Sequence, residues 1–143
     1  MAGSKIREVL LHGDAGEAFD RSVVFARRLA EAFGARLHVV YTLEDPLSAG
    51  WTAEMAAERL PEVHQAIENE ARERLARVLP LDDQERLGVQ LVIRTGPGER
   101  EVVQYAAEHP IDVAIVHAPA GEPPPALARA LLEHGRCSVL VLR

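Results

Sequence analysis

Asp112-Val113-Ala114-Ile115-Val116-His117 is a continuous apolar strand signal set between Pro110 and Pro119. An apolar run of this length without alternation belongs to a strand covered on both faces, as in the middle of a parallel sheet. Parallel neighbours need crossover connections, so helices must precede and follow it. Upstream, Gly96-Pro97-Gly98 turns into a helix with Val102, Val103, Ala106 and Ala107 inward, ended by Pro110. Downstream, Pro119 to Pro125 reads as a loop and Leu127 to His134 as a short helix closed by Gly135. Cys137–Leu142 is a last strand.

The first half shows the same alternation. Ile6–Leu11 is a mostly apolar strand leading into the tight turn His12-Gly13-Asp14-Ala15-Gly16. Phe19, Val23, Ala26, Leu29, Ala30 and Phe33 recur at three- and four-residue steps, one face of a helix that Gly34 stops. Leu37–Thr42 is the second strand. Leu43 to Leu60 reads as a connection, and Pro61 as the opening of a helix with Val63, Ile67, Ala71, Leu75 and Val78 inward. Glu68–Arg72, Glu70–Arg74 and Glu73–Arg77 stand at the supportive four-residue spacing. Val89–Thr95 is the third strand. Five strands alternating with four helices imply a doubly wound α/β sandwich, helices on both faces of a parallel sheet. The expected core includes Leu10, Val39, Val92, Ile115 and Leu140.

Composition agrees with one domain over residues 1–143. The chain is 48% hydrophobic and 27% charged, ordinary globular values that exclude disorder and low complexity. A net charge of −6 lacks the footprint of a nucleic-acid binder. No stretch approaches the roughly 20 apolar residues of a membrane span, and the first residues carry no apolar signal core. Cys137, the one cysteine, cannot close an internal disulfide; at the start of a strand it reads as an inert buried thiol. A reduced, cytoplasmic protein is the expectation.

In an open parallel sheet, ligands bind beyond the carboxyl ends of the strands where the strand order reverses. The candidates are therefore His12, Gly13 and Asp14 after the first strand, Tyr41 and Thr42 after the second, and Thr95 to Gly98 after the third. His117, Ala118 and the residues to Gly121 follow the fourth. Asp14 suits a ribose hydroxyl or an adenine amine, and equally a helix cap with Glu17 three residues on. Gly96-Pro97-Gly98 could cradle an anion, but Pro97 lacks an N–H, which favours a plain turn. If the first and fourth strands are neighbours, the His12 and His117 rings could approach each other to bind a metal or shuttle a proton. No third ligand is evident, so no metal site is expected. His38 lies within a strand and reads as a packed core residue, while His109 and His134 sit in last helical turns, where a cation suits the dipole. There is no Walker loop, no G-x-S-x-G elbow and no H-E-x-x-H helix, and no catalytic residue is expected.

The whole chain resembles the universal stress protein family. Val9-Leu10-Leu11-His12-Gly13-Asp14 is similar to its first strand, which ends in an aspartate. The stretch from Ala26 to Val40 resembles its first helix and second strand, Gly96-Pro97 before Val102-Val103 its third unit, and Asp112-Val113-Ala114-Ile115-Val116 its fourth strand. His134 to Arg143 resembles its closing strand. The resemblance implies strand order 3-2-1-4-5, the adenine-nucleotide α-hydrolase-like arrangement, and commonly a homodimer. It also implies a nucleoside contact for Asp14. Members that bind ATP carry G-x-x-G, nine residues, then Gly-Ser or Gly-Thr after the fourth strand. Here His117 and Ala120 stand at the paired glycines, and the Gly-Ser pair falls on Pro125 and Ala126 with only Gly121 to Pro124 between. The loop is short, lacks its glycines and contains Pro123-Pro124-Pro125, which implies the branch without the ATP motif.

These readings lead to a non-enzymatic stress-response or regulatory domain, a homodimer with weak or no ATP binding and no required cofactor. An unidentified protein partner would complete its role. In order 3-2-1-4-5 the last strand is an edge, and Val139, Leu140, Val141 and Leu142 present no charge or proline to discourage pairing with a second copy. The alternative is an adenine-nucleotide sensor for ATP or AMP using His12, Gly13, Asp14, Thr42, His117 and Ala118. A nucleotide hydrolase using His12 and His117 ranks third.

Overall fold

The computed structural model describes residues 5–13, 16, 18–47 and 49–143. Five strands, β1 (Glu8–Gly13), β2 (Arg36–Leu43), β3 (Gln90–Thr95), β4 (Val113–His117) and β5 (Ser138–Leu142), form one sheet. Every adjacent pair is parallel and the order is β3-β2-β1-β4-β5. The connections hold α1 (Phe19–Phe33), α2 (Ala53–Val78), α3 (Leu81–Arg86), α4 (Gly98–Glu108) and α5 (Ala126–His134). This is the doubly wound five-stranded α/β fold with the implied strand order.

Side-chain alternation divides the core in two. Val9, Leu11, Val39 and Ile115 pack with Phe19, Val23, Ala26, Ala71 and Leu75 of α1 and α2. Leu10, Val40, Ala114 and Val116 pack with Val102, Tyr105, Leu127 and Leu131 of α4 and α5. Leu10, Val39 and Ile115 are fully buried. Val92 and Leu140 are half-buried, because β3 and β5 are the edges of the sheet. Gly34 takes φ 63° and closes α1 by donating to the Ala30 and Glu31 carbonyls, a left-handed cap that suits glycine.

Two elements differ from the sequence reading. The segment expected to connect β2 to a helix opening at Pro61 is itself helical from Ala53 onward. Thr52 caps it, its hydroxyl accepting the Met55 N–H at 3.1 Å. Pro61 sits inside the helix, where it removes the bond to the Ala57 carbonyl. Ala57 is exposed, so water can satisfy that carbonyl. The second difference is α3, one and a half turns with Asp82 and Asp83 in its first turn, too short for apolar periodicity to announce.

The charge pairs on α2 are also redistributed. Glu68 and Arg72 bond at 2.8 Å as the spacing suggests. Arg74, however, turns to α1 and pairs with Asp20 at 3.2 Å. At the amino ends of the strands, the Asp112 carboxylate accepts the backbone N–H groups of Arg7 at 2.8 Å and Glu8 at 2.9 Å. It thereby joins the start of β4 to the start of β1, whose register sets Val9 opposite Val113 and Leu11 opposite Ile115.

Candidate functional site

The sheet order reverses between β1 and β4, and a crevice of about 190 Å³ opens beyond their carboxyl ends. Its floor is His12, Gly13, Val116 and His117; α1 supplies one wall through Phe19 and Ser22, and the start of α5 the other through Pro125 and Leu127.

The two histidines work on opposite faces. His12 follows the Leu10 row toward α4, and its Nε2 lies 2.8 Å from Thr42 Oγ1. Gly98, at the start of α4, backs onto the same group: a Cβ there would come 3.4 Å from His12 Nε2. His117 follows the Ile115 row toward α1, and its Nε2 accepts a hydrogen bond from Arg21 Nη2 at 3.0 Å. A guanidinium only donates, so this contact assigns His117 the neutral tautomer with its proton on Nδ1. The two rings thus border one crevice while turning to different helices, because neighbouring positions on a strand alternate faces.

Ser22 is 2% exposed, and its hydroxyl has no hydrogen-bond partner among the described residues. Its own N–H takes the Ala18 carbonyl at 2.9 Å. Such an orphaned buried hydroxyl is uncommon and costs stability. Next to it, Arg74 reaches across from α2. It donates to the Gly16 carbonyl at 2.7 Å, pairs with Asp20, and lies over the Phe19 ring at 5.1 Å. Arg74 therefore ties Gly16 and the first turn of α1 to α2. Gly13 fits because it is bare: a Cβ would stand 2.6 Å from Phe19 Cε1.

The β4–α5 loop is closed on itself and on the last strand. Ala118 is buried and donates to the Leu142 carbonyl at 2.8 Å. Arg143 Nη1 donates to the Pro119 carbonyl at 3.0 Å and the Glu122 carbonyl at 2.8 Å. Pro125 occupies the cap position of α5, with no side-chain cap. At the β3–α4 junction, Gly96 has φ 135° and Pro97 caps α4, the geometry of a turn.

Of the residues singled out in the sequence, His12, Gly13 and His117 line the crevice, Thr42 adjoins it through His12, and Ala118 lies behind it. Asp14 and Glu17 lie outside the described residues, so the capping-box and nucleoside roles both stand as expectations. Arg21, Ser22 and Arg74 were not anticipated. Ser22 had a signal: it is a polar residue in the apolar stripe of α1, three after Phe19 and four before Ala26.

A second polar cluster lies at the other end of the sheet. His38, 3% exposed, places Nδ1 2.7 Å from the Tyr105 hydroxyl and Nε2 3.1 Å from Glu8 Oε2. Burial pushes the Cys137 thiol up from its ordinary range, away from the reactive thiolate. Among the described residues no group of three or more His, Cys, Asp or Glu is placed to hold a metal ion, and no helix is long and apolar enough to cross a membrane.

Comparison with known proteins agrees with this architecture. No curated protein sequence matches the chain. Among solved structures, the universal stress protein UspA from Lactobacillus plantarum superposes with a TM-score of 0.77 at 19% identity, covering 99% of this chain and 100% of that one. A universal stress protein in complex with cAMP gives a TM-score of 0.63 at 18% identity, covering 98% of each chain. The universal stress protein from Archaeoglobus fulgidus in complex with dAMP gives 0.56 at 17% identity, covering 96% of this chain and 98% of that one. At these identities the likeness is one of fold. The sequence itself matches the Universal stress protein family over residues 5–143. With the whole described fold inside that match, the chain belongs to the universal stress protein family.

Proposed function

We propose that this protein is a non-enzymatic regulatory domain of the stress response, acting as a homodimer in the cytoplasm with weak or no ATP binding. The β4–α5 loop is the observation that carries this reading. Pro123, Pro124 and Pro125 offer no N–H donors, and Pro125 holds the cap of α5. Arg143 ties the loop to the end of β5 by two carbonyl contacts. The crevice below measures about 190 Å³, under the roughly 300–1,000 Å³ usual for small-molecule sites. A triphosphate needs donors along its length, and losing two charge-assisted bonds weakens binding by about two to four orders of magnitude. Calorimetry with ATP, AMP and adenosine in the presence of magnesium tests this. Micromolar ATP binding well above that of AMP overturns it.

The dimer reading rests on β5. It is an edge strand, and Val139, Leu140, Val141 and Leu142 are only half-buried in the single chain. An apolar edge of this kind is normally covered, most simply across a two-fold axis. Light scattering during size exclusion should give twice the 15.7 kDa chain mass. Val141→Lys should return it to monomer; a dimer indifferent to that change refutes pairing through β5.

A second reading, an adenine-nucleotide sensor, is favoured by the unpartnered Ser22 hydroxyl in the crevice wall. Two relatives of this fold are described in complex with cAMP and dAMP. In this reading the nucleoside half enters between His12 and His117, and the ligand carries a single phosphate.

A further inference from the structure

We infer that the cavity between the carboxyl ends of α4 and α5 binds a small organic carboxylate with an apolar body, Arg136 pairing with the carboxylate. The cavity lies at the amino end of the sheet, away from the crevice, so the inference rests on neither nucleotide reading.

Shape is the first observation. The cavity measures about 550 Å³, within the roughly 300–1,000 Å³ usual for small-molecule sites. Two short turns build its walls. After α4, the Ile111 N–H donates to the His109 carbonyl at 2.8 Å. After α5, the Gly135 N–H donates to the Leu131 carbonyl at 2.8 Å, and a Cβ at Gly135 would stand 2.6 Å from that oxygen. The bare residue lets the chain leave α5 without a wider loop, and Arg136 and Cys137 follow directly as lining residues. His109 is held as well. Its Nδ1 donates to the Tyr105 carbonyl at 2.9 Å, and its ring stacks on Tyr105 with centroids 3.9 Å apart. The walls are thus formed in advance, which spares a ligand the cost of ordering them.

Charge is the second observation, independent of the first. The chain has 22 acidic residues against 16 basic ones, yet no aspartate or glutamate is among the residues lining this cavity. Arg136 lines it, is exposed, and makes no hydrogen bond or ion pair among the described residues. Its planar fork matches a carboxylate by two parallel bonds. Burial pushes the Cys137 thiol up, so it stays neutral and adds no opposing charge. Ala106, Ala107 and Ile111 supply an apolar surface for the rest of the ligand. The helix ends limit how much negative charge is welcome. His109 and Gly135, the C-caps of α4 and α5, both line the cavity, so two negative dipole ends face it. One negative charge held by a guanidinium is tolerated there; the two of a phosphate are not. An amine is the competing occupant, because helix carboxyl ends attract cations, but Arg136 repels it and no carboxylate lines the cavity to hold it.

The experiment titrates benzoate, benzyl alcohol, benzylamine and inorganic phosphate separately into the ¹⁵N-labelled full chain, with Arg136→Gln and Ala107→Leu alongside. Benzoate should shift the amides of Ala106, Ala107, Arg136 and Cys137 and leave those of His12 and His117 in place. It should bind about tenfold or more tighter than benzyl alcohol. Arg136→Gln should remove that margin and leave benzyl alcohol affinity unchanged. Ala107→Leu, which fills part of the apolar surface, should weaken both compounds alike. Arg136 and Ala107 are exposed, so neither variant puts folding at stake. Equal binding of benzoate and benzyl alcohol, or indifference of benzoate to Arg136→Gln, overturns the pairing. Phosphate or benzylamine binding here as tightly as benzoate overturns the ligand class. Benzoate shifts confined to the crevice, or no shifts at all, overturn the site.

Discussion

The Tyr105 hydroxyl lies 2.7 Å from His38 Nδ1, and the far nitrogen of the same ring lies 3.1 Å from Glu8 Oε2. Burial pushes the Tyr105 phenol up, so it stays protonated and is able to donate, while the Glu8 carboxylate can only accept. His38 then accepts at Nδ1 and donates from Nε2 to the carboxylate, an arrangement that uses every group in the chain. Tyr105→Phe leaves Nδ1 a buried acceptor without a donor. The other tautomer is no refuge, since it turns a lone pair toward Glu8. We expect a loss of about 1–3 kcal/mol in urea unfolding. A loss under about 0.5 kcal/mol would show that the hydroxyl contributes no net stabilisation.

Gly13→Ala places a methyl within 2.6 Å of the buried Phe19 ring. The ring must shift toward the crevice or β1 must give. Overpacking of this kind costs about 1–3 kcal/mol, and the crevice should shrink with it. Denaturant midpoint reads the first effect, and amide chemical-shift changes at Ser22 and His117, which line the crevice, read the second. A variant as stable as the parent refutes the contact.

Arg74→Met keeps much of the apolar stem and deletes the donors to Gly16 and Asp20. The side chain is 19% exposed, so its ion pair is partly screened and the expected loss is about 1 kcal/mol. Hydrogen exchange should accelerate locally in the first turn of α1 with the strands unaffected. Uniform acceleration throughout the sheet would contradict a local clamp.

Glu31 sits below its ordinary carboxylate value because Arg86, and then Arg27, bond to the ionised form. A depressed folded-state value gives stability that is present above the unfolded value of 4.5 and lost as pH falls through the folded one. The carboxyl lies at the surface, so the effect on stability is small and is best read by NMR titration of Glu31 itself. In Arg86→Gln the midpoint should rise toward 4.5; an unmoved midpoint would leave Arg86 without influence.

The parallel sheet was legible because continuous apolar runs and three-to-four periodicity report burial directly. Pro61 misled because proline is at home both at the first turn of a helix and at an exposed interior position beside water, and Thr52 nine residues earlier was the true cap. The partners of Arg74 were illegible for a different reason. Glu70 is four residues away in sequence, but Asp20 and Gly16 become available only once α2 packs on α1. The crevice shows the same division. His12 and His117 could be named from strand ends, whereas their separation onto opposite faces depends on strand register, and the Ser22 wall depends on how α1 sits.

Asp112 therefore acts at a distance on chemistry it never touches. It stands five residues before His117, about 17 Å along an extended strand, and accepts the amides of Arg7 and Glu8. Strand side chains alternate, so a slip of one position between β1 and β4 would exchange the faces of β4 as a whole. His117 would then turn toward α5, Arg21 would lose its acceptor, and Val116 would meet α1 in its place. The carboxylate at the foot of the sheet is in effect the index pin that decides which imidazole each helix receives at the top.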